Sequence, residues 1–285
     1  MIKTLIAPTV VPLATIMLAF GNAAALAGSV ECGAEIFVDT KLDADIDCRD
    51  DPGVDGIVIG APGITLNLNG FTIIGESISG ASGIFNDCCD DVTIKNGAIS
   101  GFQDGVRIDG VADPVIKGVT FSDQVLSSIV VINSAGVLIK EIFISQPPGD
   151  GVNPAEAIRL ANVNGATVKN ATVDGGYFGL LSLGDPGIGG TGTATEILVK
   201  NSVFTNANHG IFLVRTLESR IVGNEVSDSK GIGIGLVEDS TGNIITLNIS
   251  TGNDDVDMFH DEGSSPNEWI NNTCDTSGGA DIDCP

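Results

Sequence analysis

Basic side chains are scarce in this chain: 13 lysines and arginines stand against 37 aspartates and glutamates, a formal net charge of −24. A surface so poor in cations has little with which to neutralise phosphates, so nucleic acid is excluded as a partner. Imidazoles and large aromatics are rarer still, with two histidines, one tryptophan and one tyrosine. Beyond the first 27 residues no apolar run is long enough to span a bilayer, and no stretch keeps a helical period. Acidity of this kind suits some disordered chains. Here, however, charged residues make up 18% and apolar residues 42%, enough valine, isoleucine and leucine to bury a core.

What is present begins with an export signal. Lys3 precedes an apolar stretch from Val10 to Phe20, and Ala25-Leu26-Ala27 supplies the small-x-small pattern of a cleavage site. Residues 1–27 are therefore expected to be a signal peptide, and the protein secreted or periplasmic, where disulfides are allowed. All six cysteines follow that segment, and six permit 15 connectivities. Cys32 with Cys48 and Cys274 with Cys284 are close in sequence, one pair near each end. Cys88-Cys89 is ambiguous, because a bond between neighbours is strained; free thiols or links to an end cysteine stay open. A copper ion at these thiols would have only His209 and His260 to add imidazole.

The organisation emerges when the chain is cut at a small residue followed by an apolar one. Gly83-Ile84, Gly105-Val106, Ser128-Ile129, Ala157-Ile158, Gly179-Leu180, Gly210-Ile211 and Gly231-Ile232 start successive units, spaced by 22, 23, 29, 22, 31 and 21 residues. That period belongs to a solenoid. Each unit carries a short alternating strand, a polar turn and a second strand ending in a Lys-Asn pair, as in Asp91-Val92-Thr93-Ile94-Lys95-Asn96. A third brief strand follows, holding Ile99, Phe121, Ile144, Val173 or Phe204. Alternation over three to five residues is strand chemistry. The expectation is an all-β parallel solenoid of about eight to nine coils, each of three short strands stacked at ~4.8 Å. Residues 56–254 would be the repeats, 28–55 and 255–285 the caps. Ile84, Val106, Ile129, Ile158, Leu180, Ile211 and Ile232 should stack as one interior column, and Ile94, Ile116, Ile139, Val168, Val199 and Val222 as another.

On these repeats the chain resembles the right-handed β-helix superfamily, which includes pectate and alginate lyases, polygalacturonases, mannuronan epimerases and periplasmic copper-maturation proteins. The resemblance implies a right-handed coil and, as in its lyases and hydrolases, a substrate groove with a floor and walls; one scaffold carries many chemistries. Asn69, Asn96, Asn170, Asn201, Asn224 and Asn248 fall in the turn after the second strand and resemble the asparagine ladder of pectate-lyase-like helices. Lys95, Lys117, Lys140, Lys169 and Lys200 form one outward column, either a solvated ridge or a track for an anionic polymer. Asp43, Asp45 and Asp47 alternate with apolar residues, and Asp50-Asp51, Asp90-Asp91 and Asp254-Asp255 sit in turns. Ca²⁺ is the cation such clusters would hold, without a full calcium-loop motif among them.

The functional clue is where coils swell. One insertion, 145–156, enters just before the strand Ile158-Arg159-Leu160; the other, 184–196, leaves just after Leu180-Leu181-Ser182-Leu183. Two loops would wall the opposite edges of one sheet, the usual place for binding on a rigid scaffold. The candidate floor includes Arg107, Asp109, Val130, Ile132, Arg159 and Phe212, and the rim Asp104, Glu156, Tyr177 and His209. Arginine forks suit sugar carboxylates, Tyr177 can stack on a sugar face, and Glu156 or His209 can move protons. The expected catalytic set is Glu156, Arg159 and His209; the expected substrate-binding set is Arg107, Asp109, Asp150, Tyr177 and Asp185. Arg107 and Arg159, two coils apart, would be ~10 Å from one another and favour an anionic chain.

Complete catalytic motifs are missing. Asn208-His209-Gly210 resembles one polygalacturonase element without its companions Asn-Thr-Asp and Arg-Ile-Lys. Residues 150–156 resemble the epimerase Asp-Pro-His-Glu/Asp element, with Ala155 where histidine should stand. Two functions follow from these readings. One is polysaccharide binding in the groove, with lyase, epimerase or hydrolase activity as its enzymatic form. The other is a non-catalytic surface or envelope protein with a protein or matrix partner on the apolar floor.

Overall fold

The computed structural model describes residues 30–77, 80–147, 155–188, 192–279, 282 and 284. The proposed signal peptide, and Asp150 within the first insertion, lie outside the described residues. The chain winds as an all-β right-handed parallel solenoid of about ten turns, slightly more than the repeat spacing suggests. One sheet has eleven parallel strands in strict chain order, from Ala34–Ile36 to Ser277–Gly278. A second set of strands, most of them two to four residues long, forms the other two faces of each coil. Thr93–Ser100 and Val115–Ser122 run through the corner between those faces as single strands. The only helical element among the described residues is the short 3₁₀ turn Pro186–Ile188.

The extra turns come from the ends. Ala34–Ile36 pairs with Ile57–Ile59, and Val256–His260 pairs with Ile232–Val237, in the same register as the interior coils. Aspartates of the first coil serve the backbone: Asp39 and Asp45 accept the N–H groups of Thr65 and Thr72, both at 2.8 Å. Asp90 does the same for Ala112 at 2.7 Å. These carboxylates satisfy strand donors at coil edges that would otherwise lack partners. Trp269 packs partly buried against the end of the core, aligned with Ile245.

The small-then-apolar signature has a steric cause. A side-chain carbon at Gly105 would sit 2.5 Å from the Ser128 carbonyl oxygen and 2.7 Å from the Phe121 ring. The next residue then points fully inward: Ile84, Val106, Ile129, Ile158, Leu180 and Ile211 are aligned and buried. The column continues through Ile234, not Ile232, because Ile211 pairs with Ile234. Two Gly-Ile steps occur in succession there, and the second one is in register. Likewise Val199 is followed by Ile221, and Val222 faces outward beside Lys200.

The asparagines divide into two columns. Asn69, Asn96, Asn170 and Asn201 are exposed corner residues with φ between 51° and 59°. Asn224 and Asn248 stand one position later, buried, where they form a true amide ladder with Asn272. Cys32–Cys48 and Cys274–Cys284 are disulfides at the two ends, and Cys88 is bonded to its neighbour Cys89. Asn86 frames that adjacent pair: its amide accepts from the Cys89 N–H at 3.0 Å and donates to the Cys89 carbonyl at 2.9 Å.

Candidate functional site

The outward face of the eleven-stranded sheet carries two columns that converge on one cavity. The first runs Ser82, Asp104, Ser127, Glu156, Phe178, His209 along the strand starts. The second, three residues on, runs Phe85, Arg107, Val130, Arg159, Leu181, Phe212. Alternation from the inward Val106 puts Arg107 outside, and Asp104 shares that side because alternation breaks at the small residue between them: Gly105 and Val106 both face the core. A cavity of about 320 Å³ opens over their middle, lined by Asp104, Arg107, Ser127, Val130, Glu156 and Arg159, with Gln103, Leu126, Ile132 and Ile188 around them.

Each arginine is held by a carboxylate of its own strand. Arg107 lies 3.5 Å from Asp104 and 3.9 Å from Asp109; Arg159 lies 3.4 Å from Glu156. The acids are deeply set, Asp104 at 2% and Glu156 at 6% exposure, while the guanidinium side chains stay 34% and 29% exposed. Arg159 keeps one buried donor, Nε, with no hydrogen-bond partner among the described residues. Burial pushes both carboxyls above their ordinary range, against the opposing pull of Arg107 and Arg159. The charge on Asp104 raises Glu156 further.

A carboxyl whose folded pKa is raised adds stability below its unfolded pKa and loses it as pH rises through the folded value. Glu156→Gln cannot ionise. It should therefore gain on the wild type in thermal melts as pH goes from about 5 to about 7. A difference that stays constant or narrows would show that Glu156 ionises without penalty.

Next along the same face lies an aromatic shelf. Phe178 stacks on His209 with ring centroids 5.3 Å apart, Phe212 tilts against His209 at 5.2 Å, and Tyr177 meets Phe178 edge-on at 5.0 Å. The His209 Nδ1 accepts the Ile232 backbone N–H at 3.1 Å, so the neutral ring carries its proton on Nε2 and presents a donor. Burial lowers the His209 pKa and favours that neutral form. Phe178 was not legible as a site residue by its own chemistry. Its signal was positional, two residues before Leu180 as His209 is before Ile211.

The second insertion walls the cavity through Ile188. Asn162 clamps the loop: it accepts from the Asp185 N–H at 2.7 Å and donates to the Asp185 carbonyl at 2.8 Å. Asn133 donates to the Ile188 carbonyl at 3.3 Å. The Asp185 carboxylate turns back to accept the Gly187 N–H at 2.7 Å and does not line the cavity. The structure thus brings Glu156, Arg159, Arg107 and Asp109 to one cluster, and Tyr177 and His209 to the adjoining shelf.

The family described as NosD, periplasmic copper-binding protein, matches residues 55–279. The chain belongs to the NosD family. No curated protein matches it by sequence. Among solved structures it is similar to an exopolygalacturonase from Thermotoga maritima, with 11% identity and a TM-score of 0.53 over 86% of this chain and 81% of that one. The surface protein and adhesin PfbA of Streptococcus pneumoniae gives 14% identity and a TM-score of 0.52 over 85% and 78%. XylC in complex with xylose gives 13% identity and a TM-score of 0.53 over 70% of this chain, which spans only 37% of that protein. These likenesses establish the fold.

The family name raises copper, and the described residues do not fit it. All six cysteines are in disulfides. His209 Nδ1 is occupied by a backbone N–H, and His260 Nδ1 lies 3.2 Å from the Ser264 carbonyl. No group of three or more histidine, cysteine or acidic side chains converges as a metal site among the described residues.

Proposed function

We propose that this NosD-family β-helix binds polysaccharide along the outward face of its eleven-stranded sheet. The observation that carries the reading is the adjacency of two acid–arginine pairs and a stacked aromatic shelf on one rigid, loop-walled face. Fixed carboxylate and guanidinium groups suit sugar hydroxyls, and rings suit the apolar faces of pyranoses. Because both arginines are already ion-paired, the groove suits neutral or weakly charged sugars. The disulfides and the periplasmic family support an extracytoplasmic location, and no helix among the described residues is long and apolar enough to cross a membrane.

If the groove turns its ligand over, we assign protonation of the glycosidic oxygen to Glu156, positioned by Arg159, and to His209 a hydrogen bond donated from its Nε2. Glycan-array binding, followed by reducing-sugar and unsaturated-product assays on the hits, tests both levels. Arg159→Ala should weaken binding of an array hit by about tenfold or more, and Arg159→Lys by less, since lysine restores charge but not the fork. Binding without turnover would make the protein an adhesin-like or envelope component. An Arg159→Ala protein with wild-type affinity would move the ligand off this groove.

A further inference from the structure

Lys95, Lys117, Lys140, Lys169 and Lys200 are in direct register on five successive coils. Lys41 continues the line past Asn67, so six of the eight lysines of the chain share one column. The ammonium groups repeat at ~4.8 Å, a separation at which stacked like charges disfavour the fold unless something neutralises them. The protein does little of that itself. Among the described residues only Lys140 has a carboxylate within ion-pair distance, Glu141 at 3.8 Å. The flanks are neutral as well: of the residues two before, one after and three after each of the five coil lysines, Glu141 alone is charged. In a chain of net charge −24 this is a concentrated cationic strip.

We propose that the lysine ladder is a binding site for a linear acidic polysaccharide lying along the helix axis. A parallel solenoid fixes the spacing of its charges at the coil repeat. An extended chain with one carboxylate per sugar ring has a comparable repeat and can meet successive lysines without strain. A nucleic-acid duplex carries a charge every ~1.7 Å, far more than this strip neutralises against the acidic remainder of the surface. Lysine, a mobile point charge, tolerates small mismatches in that repeat. Phe143, 46% exposed just past the corner from Lys140, adds an apolar face for a sugar ring. The site lies on a different sheet from the groove and does not rest on the groove reading.

The test is binding of the intact mature protein to sodium polygalacturonate, with fully methyl-esterified polygalacturonate, duplex DNA and vesicles containing phosphatidylserine as the other probes. Wild type should bind polygalacturonate, lose affinity with added salt, and ignore the ester. Replacing Lys117, Lys140 and Lys169 together by Gln should weaken binding by about tenfold or more, from three charge pairs at ~0.5 kcal/mol each, with a melting temperature no lower than that of the wild type. The triple Arg variant should retain binding. The proposal is overturned by a triple Gln variant that binds like wild type, by absence of binding in the wild type, or by tighter binding of DNA or vesicles than of polygalacturonate. Loss of binding in Arg159→Ala alone would assign the anion to the groove.

Discussion

Ile108→Asp should yield no folded protein. Ile108 is fully buried in the fourth strand of the eleven-stranded sheet, stacked between Asn86 and Val131. A carboxylate there has no cation within the core and must either ionise in an apolar column or fold protonated. Either route costs on the order of 5 kcal/mol, comparable with the whole stability of a typical domain. Ile108→Val, which removes one methylene group, should cost only about 1 kcal/mol. Far-ultraviolet circular dichroism and thermal melting of the two variants distinguish charge burial from simple sensitivity of the position. A soluble Ile108→Asp protein that melts normally would mean that this column does not face the interior.

Asn248→Ala should cost about 3 kcal/mol, several times the effect of Asn201→Ala. The Asn248 amide accepts from the Asn224 N–H at 2.9 Å and from the Asn224 side chain at 3.0 Å. It donates to the Ile221 carbonyl at 2.8 Å and to Asn272 at 3.0 Å. Alanine leaves those groups buried without partners, where water cannot replace the lost bonds. Asn201, by contrast, is exposed at φ 51°, and its replacement loses mainly a tolerance for left-handed backbone, about 1 kcal/mol. Denaturant titration of both variants decides the matter. Equal effects would mean that the asparagines form one functional column after all.

The difference between those two asparagines shows where sequence reading stops. Both follow an alternating strand by a residue or two, and both are amides. Which one turns inward depends on whether the strand ends in Lys-Asn, as at Lys200-Asn201, or in Val-Gly-Asn, as at Val222-Gly223-Asn224. A one-residue offset exchanges the inside and outside of a coil. Ile232 and Ile234 differ by two residues and so share a parity, and only the pairing of Ile211 with Ile234 decides between them. The lysine column and the alignment of Arg107 with Arg159 were legible because their coils keep the same strand-to-strand spacing on the face concerned. Phe178 and Ile188 were not, since one was hidden by its hydrophobicity and the other sits in a loop whose path is set by Asn133 and Asn162 on other coils.

The sequence by itself determined the solenoid. A recurrent small-apolar step near every 22 residues and short alternating strands leave few other ways to bury so much valine and isoleucine. It also determined that five lysines fall on equivalent repeat positions; Lys41 became visible as a sixth only through pairing. The tertiary structure alone decided which charges are spent and which are available. Arg107 and Arg159 meet carboxylates three residues earlier on the same outward face, whereas the lysines face neighbours without charge, Glu141 beside Lys140 excepted. Strict alternation would put residues three apart on opposite faces, so local sequence does not reveal that Asp104 and Glu156 share a side with Arg107 and Arg159; the structure shows that they do.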